Sequence, residues 1–160
     1  SAQQEGTPNL VNKSIQTTRR FDALKMWLTL RVMGPAALGD AFDTLIDLTQ
    51  AAHQLLTAHP AIEVLHAPEL TTQIFRYIPG KHASDAQIDE INAAIRKALF
   101  RSGNAVIAGT KVDGRQYLKF TLLNPTTTIA DLEDVLSLIA HYGREQVRAS
   151  ALSAANQGAI

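Results

Sequence analysis

The chain has 160 residues, with fifteen basic and fifteen acidic side chains, so its formal net charge is zero, and it contains no cysteine. The balanced charge gives no electrostatic basis for binding nucleic acid or an anionic membrane, and the lack of cysteine excludes disulfides and thiolate metal sites. The length suits one domain with a core of its own, and no apolar run is long enough to cross a bilayer, so we expect a cytoplasmic protein.

The first part of the chain predicts two long helices after a polar leading segment. Residues 1–20 are polar and favour an extended conformation. From Phe21 to Met33, apolar residues occupy nearly the whole helical circumference, whereas a surface helix shows one apolar stripe. Gly34-Pro35 ends this helix and begins a second one that runs to about His59. The first helix is therefore expected to need packing partners on several sides.

The second predicted helix has one acidic face and one apolar stripe. Asp40, Asp43 and Asp47 follow helical spacing and could in principle bind a cation. No histidine joins them, and negative charge near a helix N-terminus is favoured without any metal. We therefore predict a solvated face and no metal site. The side chains predicted to be buried are Leu38, Phe42, Leu45, Ala52, Leu55 and Leu56.

The remainder of the chain predicts two pairs of strands, each pair followed by a helix. Strands over 62–67 and 72–78 flank a turn at Pro68. Strands over 105–111 and 115–123 flank Asp113-Gly114, a dipeptide typical of a tight hairpin turn with positive φ. This order of elements favours an α+β fold, in which a mostly antiparallel sheet carries helices on one face.

Capping residues mark the starts of the last two helices. Ser84 with Gln87 predicts a capping box, and Thr128 with Asp131 predicts a second one. Apolar spacing in the final helix ends near Val147, after which residues 148–160 predict a frayed helix end or a flexible tail.

Polar residues in the last strand are the most informative candidates for a site. Alternation places Tyr117, Lys119 and Thr121 on the sheet face away from the helices. Lys119 could present a positive charge to a partner or to an anionic group, and the alternative is an edge-strand lysine that prevents aggregation. Arg19 and Arg20 stand where the dipole of the first helix disfavours cations, so they either reach acceptors elsewhere or are solvated.

No arrangement of side chains in the sequence marks an active site. The five histidines form no His-x-x-x-His pair, and there is neither a glycine-rich phosphate loop nor a Gly-x-Ser-x-Gly motif. We therefore expect no catalytic residue, no cofactor-binding residue and no metal ligand in this chain.

Three separated segments resemble the group II pyridoxal-phosphate-dependent amino-acid decarboxylases. They are Asn9–Trp27, with its Arg-Arg and Lys-x-Trp, Phe75–Pro79, and Tyr117–Pro125, with its Asn-Pro turn. In this order they extend over about residues 9–147. The variant found here is similar to the bacterial branch that acts on L-2,4-diaminobutyrate, which implies a parent reaction yielding 1,3-diaminopropane and carbon dioxide. Glutamate, aspartate or an aromatic amino acid is the alternative substrate.

The resemblance implies that residues 21–147 are the small C-terminal domain of a fold-type-I enzyme. In the family, a preceding large domain of the same polypeptide binds pyridoxal phosphate through the lysine of a His-Lys dipeptide. None of the six lysines here follows a histidine. No cofactor is therefore expected on this chain alone, and the isolated chain is expected to be inactive.

The resemblance also implies contacts for several residues. Lys119 matches the position where many relatives carry an arginine near the substrate carboxylate, which implies substrate binding. Family members are homodimers, so Arg19, Arg20 and Trp27 are expected to have structural or interface roles. The competing hypothesis is a stand-alone interaction module whose open sheet face binds a partner.

Overall fold

The computed structural model describes residues 21–80 and 83–157. Its first helix, α1, extends over Ala23–Ala58 and contains a break at Gly34. Gly34 has φ 80° and ψ 161°, outside the helical region, and Pro35, which has no amide hydrogen to donate, stands directly after it. The two predicted helices are therefore two segments of α1. The chain divides into two compact units, Ser1–Asp40 and Ala41–Ile160.

A four-stranded antiparallel sheet forms the centre of the second unit, in the order β1-β2-β4-β3. All four strands are shorter than predicted, and the edge strand β1, which has half its predicted length, is shortened most. The predicted α+β architecture is confirmed. The strands are β1 Ile62–Val64, β2 Thr72–Tyr77, β3 Ala108–Val112 and β4 Arg115–Thr121, and the further helices are α2 Asp85–Ser102 and α3 Ile129–Gln157.

One face of this sheet is covered by helices and forms the core. The register places Phe75 opposite Leu118 and Gln73 opposite Phe120. The rings of Phe75 and Phe120 lie 4.8 Å apart between centroids, in a tilted arrangement that adds to their burial energy. The buried helical side chains around them are Leu45, Ala52, Leu56, Ile91, Ile95, Leu99, Leu132, Leu136 and Ile139.

The buried stripe of α1 differs from the predicted one at Phe42 and Thr49, and Leu38 and Leu55 of the predicted stripe are only partly buried. Phe42 is 54% exposed, because the buried stripe starts only at Leu45, so the prediction that Phe42 is buried is wrong. Thr49 is fully buried although it is polar. Its hydroxyl donates to the backbone carbonyl of Leu45 at 2.6 Å, which satisfies the group inside the helix.

The predicted hairpin turn at Asp113-Gly114 and the two predicted capping boxes are confirmed, whereas the turn predicted at Pro68 lies at Leu70 and Thr71, between the paired residues Glu69 and Thr72. Asp113 and Gly114 have φ of 50° and 79°, as the hairpin turn requires. Ser84 and Gln87 form the predicted capping box. Helix α3 continues to Gln157, well past Val147, since alanine-rich sequence favours a helix without an apolar pattern.

Asn92 of α2 replaces a strand partner at the end of β2. Its Oδ1 accepts from the backbone N–H of Tyr77 at 2.8 Å, and its Nδ2 donates to the carbonyl of Tyr77 at 2.9 Å. Nδ2 also donates to the carbonyl of Ile88 at 2.8 Å. The fully buried amide thus satisfies backbone groups that no neighbouring strand reaches.

Gly143 of α3 is required by close packing. A methyl group at Gly143 would lie 2.6 Å from Cε1 and Cζ of the Tyr77 ring, well inside van der Waals contact. We expect Gly143→Ala to lower the free energy of unfolding by about 1–3 kcal/mol, because the ring must shift.

The matched control is Gly39→Ala, since a methyl at Gly39 of α1 meets no atom within 4 Å. There, removing a helical glycine should raise stability by up to ~1 kcal/mol. Urea denaturation of both variants checks the pair, and a stabilised Gly143→Ala variant would contradict the packing.

None of the three helices, over the residues that the structure describes, combines the length and hydropathy of a segment that crosses a membrane.

Candidate functional site

Lys119 lies in the middle of β4, on the sheet face opposite the helices, which we call the outer face. The register places it beside Ile74 of β2 and Ala108 of β3. Its side chain is partly buried. Because β4 is a central strand, the alternative of an edge-strand lysine that prevents aggregation does not apply.

The neighbouring charges on the outer face are paired with one another. Nε of Arg76 donates to Oε1 of Glu63 at 2.7 Å, and its Nη1 donates to Oδ1 of Asp85 at 3.3 Å. Nη2 of Arg115 lies 2.9 Å from Oδ2 of Asp85. Burial disfavours the charge of Arg76, but its bonds and attractions, led by Glu63, outweigh that cost, so its pKa is raised. This network is built from groups that already satisfy one another.

Lys119 differs from these cations because it has no carboxylate partner within the described ranges. Its neighbour Tyr117 is buried, with the guanidinium of Arg76 5.4 Å from its ring centroid. Ala108, opposite Lys119, is exposed and has only a methyl side chain. The ammonium group is therefore available to an anionic group such as a carboxylate, although lysine lacks the bidentate fork of arginine.

The other predicted site residues belong to the first unit or lie outside the described residues. Arg19 and Arg20 lie outside the described residues. Trp27 is 57% exposed, and the guanidinium of Arg31 lies 5.9 Å from its ring centroid. Val32 is 83% exposed. The strongly apolar first segment of α1 thus presents large hydrophobic side chains to solvent.

The aspartates of α1 do not belong to a recognisable metal site. Over the parts of the chain that the structure describes, no group of three or more histidine, cysteine, aspartate or glutamate side chains could hold a metal ion. Asp40, Asp43 and Asp47 are all exposed.

The side chains that are described do not fit pyridoxal phosphate. The lysines among them are Lys25 and Lys97 on helices and Lys111 and Lys119 on strands, and the first three are exposed. Lys25 pairs with Asp22 at 2.8 Å, on the surface. A cofactor needs a lysine, a charge partner and a phosphate cradle fixed in one pocket, and these residues do not build one.

His59 follows α1, and its surroundings favour the neutral imidazole. Its Nδ1 accepts a hydrogen bond from the backbone N–H of Ala61 at 3.2 Å, which protonation would abolish. Burial lowers the pKa of His59 below its ordinary 6.5, and the positive charge of Arg144 lowers it further. The folded state therefore binds this proton less readily than the unfolded chain does.

The pH dependence of stability follows from this lowered pKa. The contribution of neutral His59 is complete above about pH 6.5 and is lost as the pH falls toward the folded-state pKa. We expect the unfolding free energy of the wild type to fall between pH 7.5 and 5.5, and to fall less in His59→Asn. Arg144→Gln should weaken this dependence only partly, since burial is the larger cause. Equal slopes in wild type and His59→Asn by urea denaturation would contradict this account.

Sequence reasoning missed the paired network on the outer face. The alternation of side chains along each strand puts three further charged residues on the face of Lys119, namely Glu63, Arg76 and Arg115. This alternation is the sequence feature from which the network could have been recognised. Their partner Asp85 is the first residue of α2, so only the folded chain brings it near.

Comparison with known proteins identifies related chains. No protein-family model matches the chain. It is 36% identical over 137 residues to the L-2,4-diaminobutyrate decarboxylase of Acinetobacter baumannii, covering 86% of this chain and 27% of that protein. It is 38% identical over 138 residues to the enzyme of the same name from Rhizobium meliloti (strain 1021), covering 86% and 28% respectively. The chain thus spans little more than a quarter of these relatives.

A solved structure agrees with these relatives. The glutamate decarboxylase domain of the diaminobutyrate-pyruvate transaminase and L-2,4-diaminobutyrate decarboxylase from Vibrio parahaemolyticus has 40% sequence identity and a TM-score of 0.69. The match covers 79% of this chain and 27% of that one. Sequence and fold therefore point to the same C-terminal part of the same group of proteins.

Proposed function

We propose that this chain, which belongs to the group II pyridoxal-phosphate-dependent amino-acid decarboxylases, is the small C-terminal domain of an L-2,4-diaminobutyrate decarboxylase over residues 21–147. Its sequence and its fold both match the C-terminal part of proteins of this family. The parent reaction converts L-2,4-diaminobutyrate to 1,3-diaminopropane and carbon dioxide. The observation that carries the proposal is the shared identity, over most of the chain, with decarboxylases of this name from two organisms.

In this proposal the chain contributes to substrate binding through Lys119. A cation on a central strand, with no carboxylate partner in the described chain, suits the α-carboxylate of an amino acid. The large domain, which precedes this one on the parent polypeptide, binds pyridoxal phosphate, which supplies the electron sink for the bond that breaks. None of the six lysines of the chain follows a histidine, so in this proposal the isolated chain is expected to be inactive.

The first segment of α1 contacts other parts of the parent enzyme in this proposal. Trp27 and Val32 are more than half exposed, and so are Phe21 and Met26. Several large apolar side chains exposed within one short segment favour an interaction site. Its partners are the large domain and a second subunit of a cytoplasmic homodimer, and Arg19 and Arg20 stand beside it in the sequence.

We expect the isolated chain to associate in solution, because this surface is uncovered without the large domain. Static light scattering should show a mass above that of one chain, and Trp27→Glu should shift the mass toward the monomer. Phe100→Glu, at an exposed phenylalanine of α2, is the matched control and should leave association unchanged. A monodisperse wild-type monomer would contradict the interface.

The enzyme assay uses the protein expressed from the full parent reading frame. With pyridoxal phosphate present, this protein should form 1,3-diaminopropane from L-2,4-diaminobutyrate, and the 160-residue chain should form none. Glutamate, aspartate and an aromatic amino acid are assayed in parallel. Preference for one of these would reassign the substrate within the family, and no decarboxylation of any of them would overturn the proposal.

A further inference from the structure

A cleft of about 170 Å³ opens where the end of β2 meets α3. Its lining consists of Tyr77, Pro79, Arg144, Val147 and Arg148. Arg144 and Arg148 are four residues apart on α3, so their side chains project from the same side of the helix. The cleft is separate from Lys119, which lies on the outer face of the sheet.

The two arginines of this cleft lack counter-ions in the described parts of the chain. Neither Arg144 nor Arg148 forms an ion pair or hydrogen bond there, whereas Arg76 and Arg115 are both paired with carboxylates. Like charges one helical turn apart repel each other. An anion between the two guanidinium groups would relieve that repulsion.

Tyr77 provides a third polar group in the cleft. The residue is only 4% exposed, its ring packs against Gly143, and its backbone is held by Asn92. The phenol hydroxyl makes no hydrogen bond to any described residue, and it is not fully shielded from solvent. The hydroxyl therefore reaches solvent through the cleft that its ring lines.

Arg144 and Tyr77 line the cleft together, and the charge of Arg144 acts on the Tyr77 phenol and on His59. Burial raises the pKa of Tyr77, and the charge of Arg144 opposes that rise. The same charge adds to the lowering of the pKa of His59. The positive field of Arg144 therefore extends over the wall of the cleft and reaches His59.

We propose that this cleft binds an oxyanion, a phosphate or carboxylate group whose oxygens accept hydrogen bonds from the guanidinium groups of Arg144 and Arg148 and from the hydroxyl of Tyr77. Guanidinium forks match the oxygen spacing of both groups. The volume admits one such group rather than a nucleotide. The site needs neither Lys119 nor the decarboxylase reaction, so it stands independently of the proposed function.

The test is a titration of the 160-residue chain with inorganic phosphate at constant ionic strength, followed by NMR of the His59 and Tyr77 rings. Saturable shifts of both rings are expected. Arg144→Gln and Arg148→Gln should each weaken the affinity about tenfold, as expected for a lost charge-assisted bond. Both arginines are exposed, so either substitution should leave the fold intact, which the melting curve checks. Arg101→Gln, at an exposed arginine of α2 away from the cleft, is the matched control and should bind as the wild type does.

A parallel titration with propionate distinguishes the two chemistries. Tighter binding of phosphate assigns a phosphate group to the cleft, and tighter binding of propionate assigns a carboxylate, and either result supports the site. Shifts that do not saturate with either anion overturn the proposal. Loss of affinity in Arg101→Gln equal to that in Arg144→Gln also overturns it, because the binding would then reflect overall charge.

Discussion

In the full-length parent enzyme, Lys119→Ala is expected to raise the KM for L-2,4-diaminobutyrate by about ten- to a hundredfold, the range for losing one charge-assisted hydrogen bond. The ammonium group lies on a central strand and has no carboxylate partner in the described chain. Removing it should leave the substrate carboxylate without this contact. Steady-state kinetics at saturating pyridoxal phosphate measures the change.

Two further variants separate this role from a general effect of charge. Lys119→Arg should retain much of the affinity, since the family resemblance puts an arginine at this position in many relatives. Lys111→Ala removes an exposed lysine from the neighbouring strand β3 and should leave the KM unchanged. An unchanged KM in Lys119→Ala would refute the assignment of this residue.

Asn92→Ala is expected to lower the unfolding free energy by about 2–4 kcal/mol. The amide satisfies both the N–H and the carbonyl of Tyr77 inside the protein, and each buried group left without a partner costs about 1–3 kcal/mol. Urea denaturation of the isolated chain measures the loss, provided that the slope of the transition stays constant.

The controls for Asn92 test the hydrogen-bond explanation. Asn92→Asp keeps an acceptor for the N–H of Tyr77 but has no donor for its carbonyl, and it buries a charge, so it should be at least as destabilising. Asn104→Ala changes an exposed asparagine and should stay within about 0.5 kcal/mol of the wild type. A near-neutral effect of Asn92→Ala would mean that the two backbone groups find other partners.

Local signals in the sequence predicted most of the architecture. The capping box at Ser84, the hairpin dipeptide Asp113-Gly114 and the break at Gly34 depend on backbone conformation within a few residues, so they could be identified directly. Alternation in β4 assigned Lys119 to the outer face for the same reason. That β4 is central rather than an edge could not be predicted, because strand order depends on contacts between distant segments.

Polar contacts between distant segments could not be predicted. Asn92 stands among isoleucines of an amphipathic helix, and nothing nearby indicates that it pairs with the backbone of β2. Gln73 is fully buried, where its Oε1 and the Nδ1 of His53 on α1 are 2.9 Å apart. Phe42 is exposed for a related reason. The apolar spacing of α1 extends beyond the part of the helix that packs against the core, and Phe42 lies in that extension.

The reading frame upstream of Ser1 in the source gene tests the central claim most directly. If the chain is the C-terminal domain of a decarboxylase, sequencing should show that the frame continues upstream for a few hundred codons. It should also encode the histidine-lysine dipeptide that the family resemblance implies. A start codon directly before this segment would contradict the claim, because the domain would then act without a catalytic half.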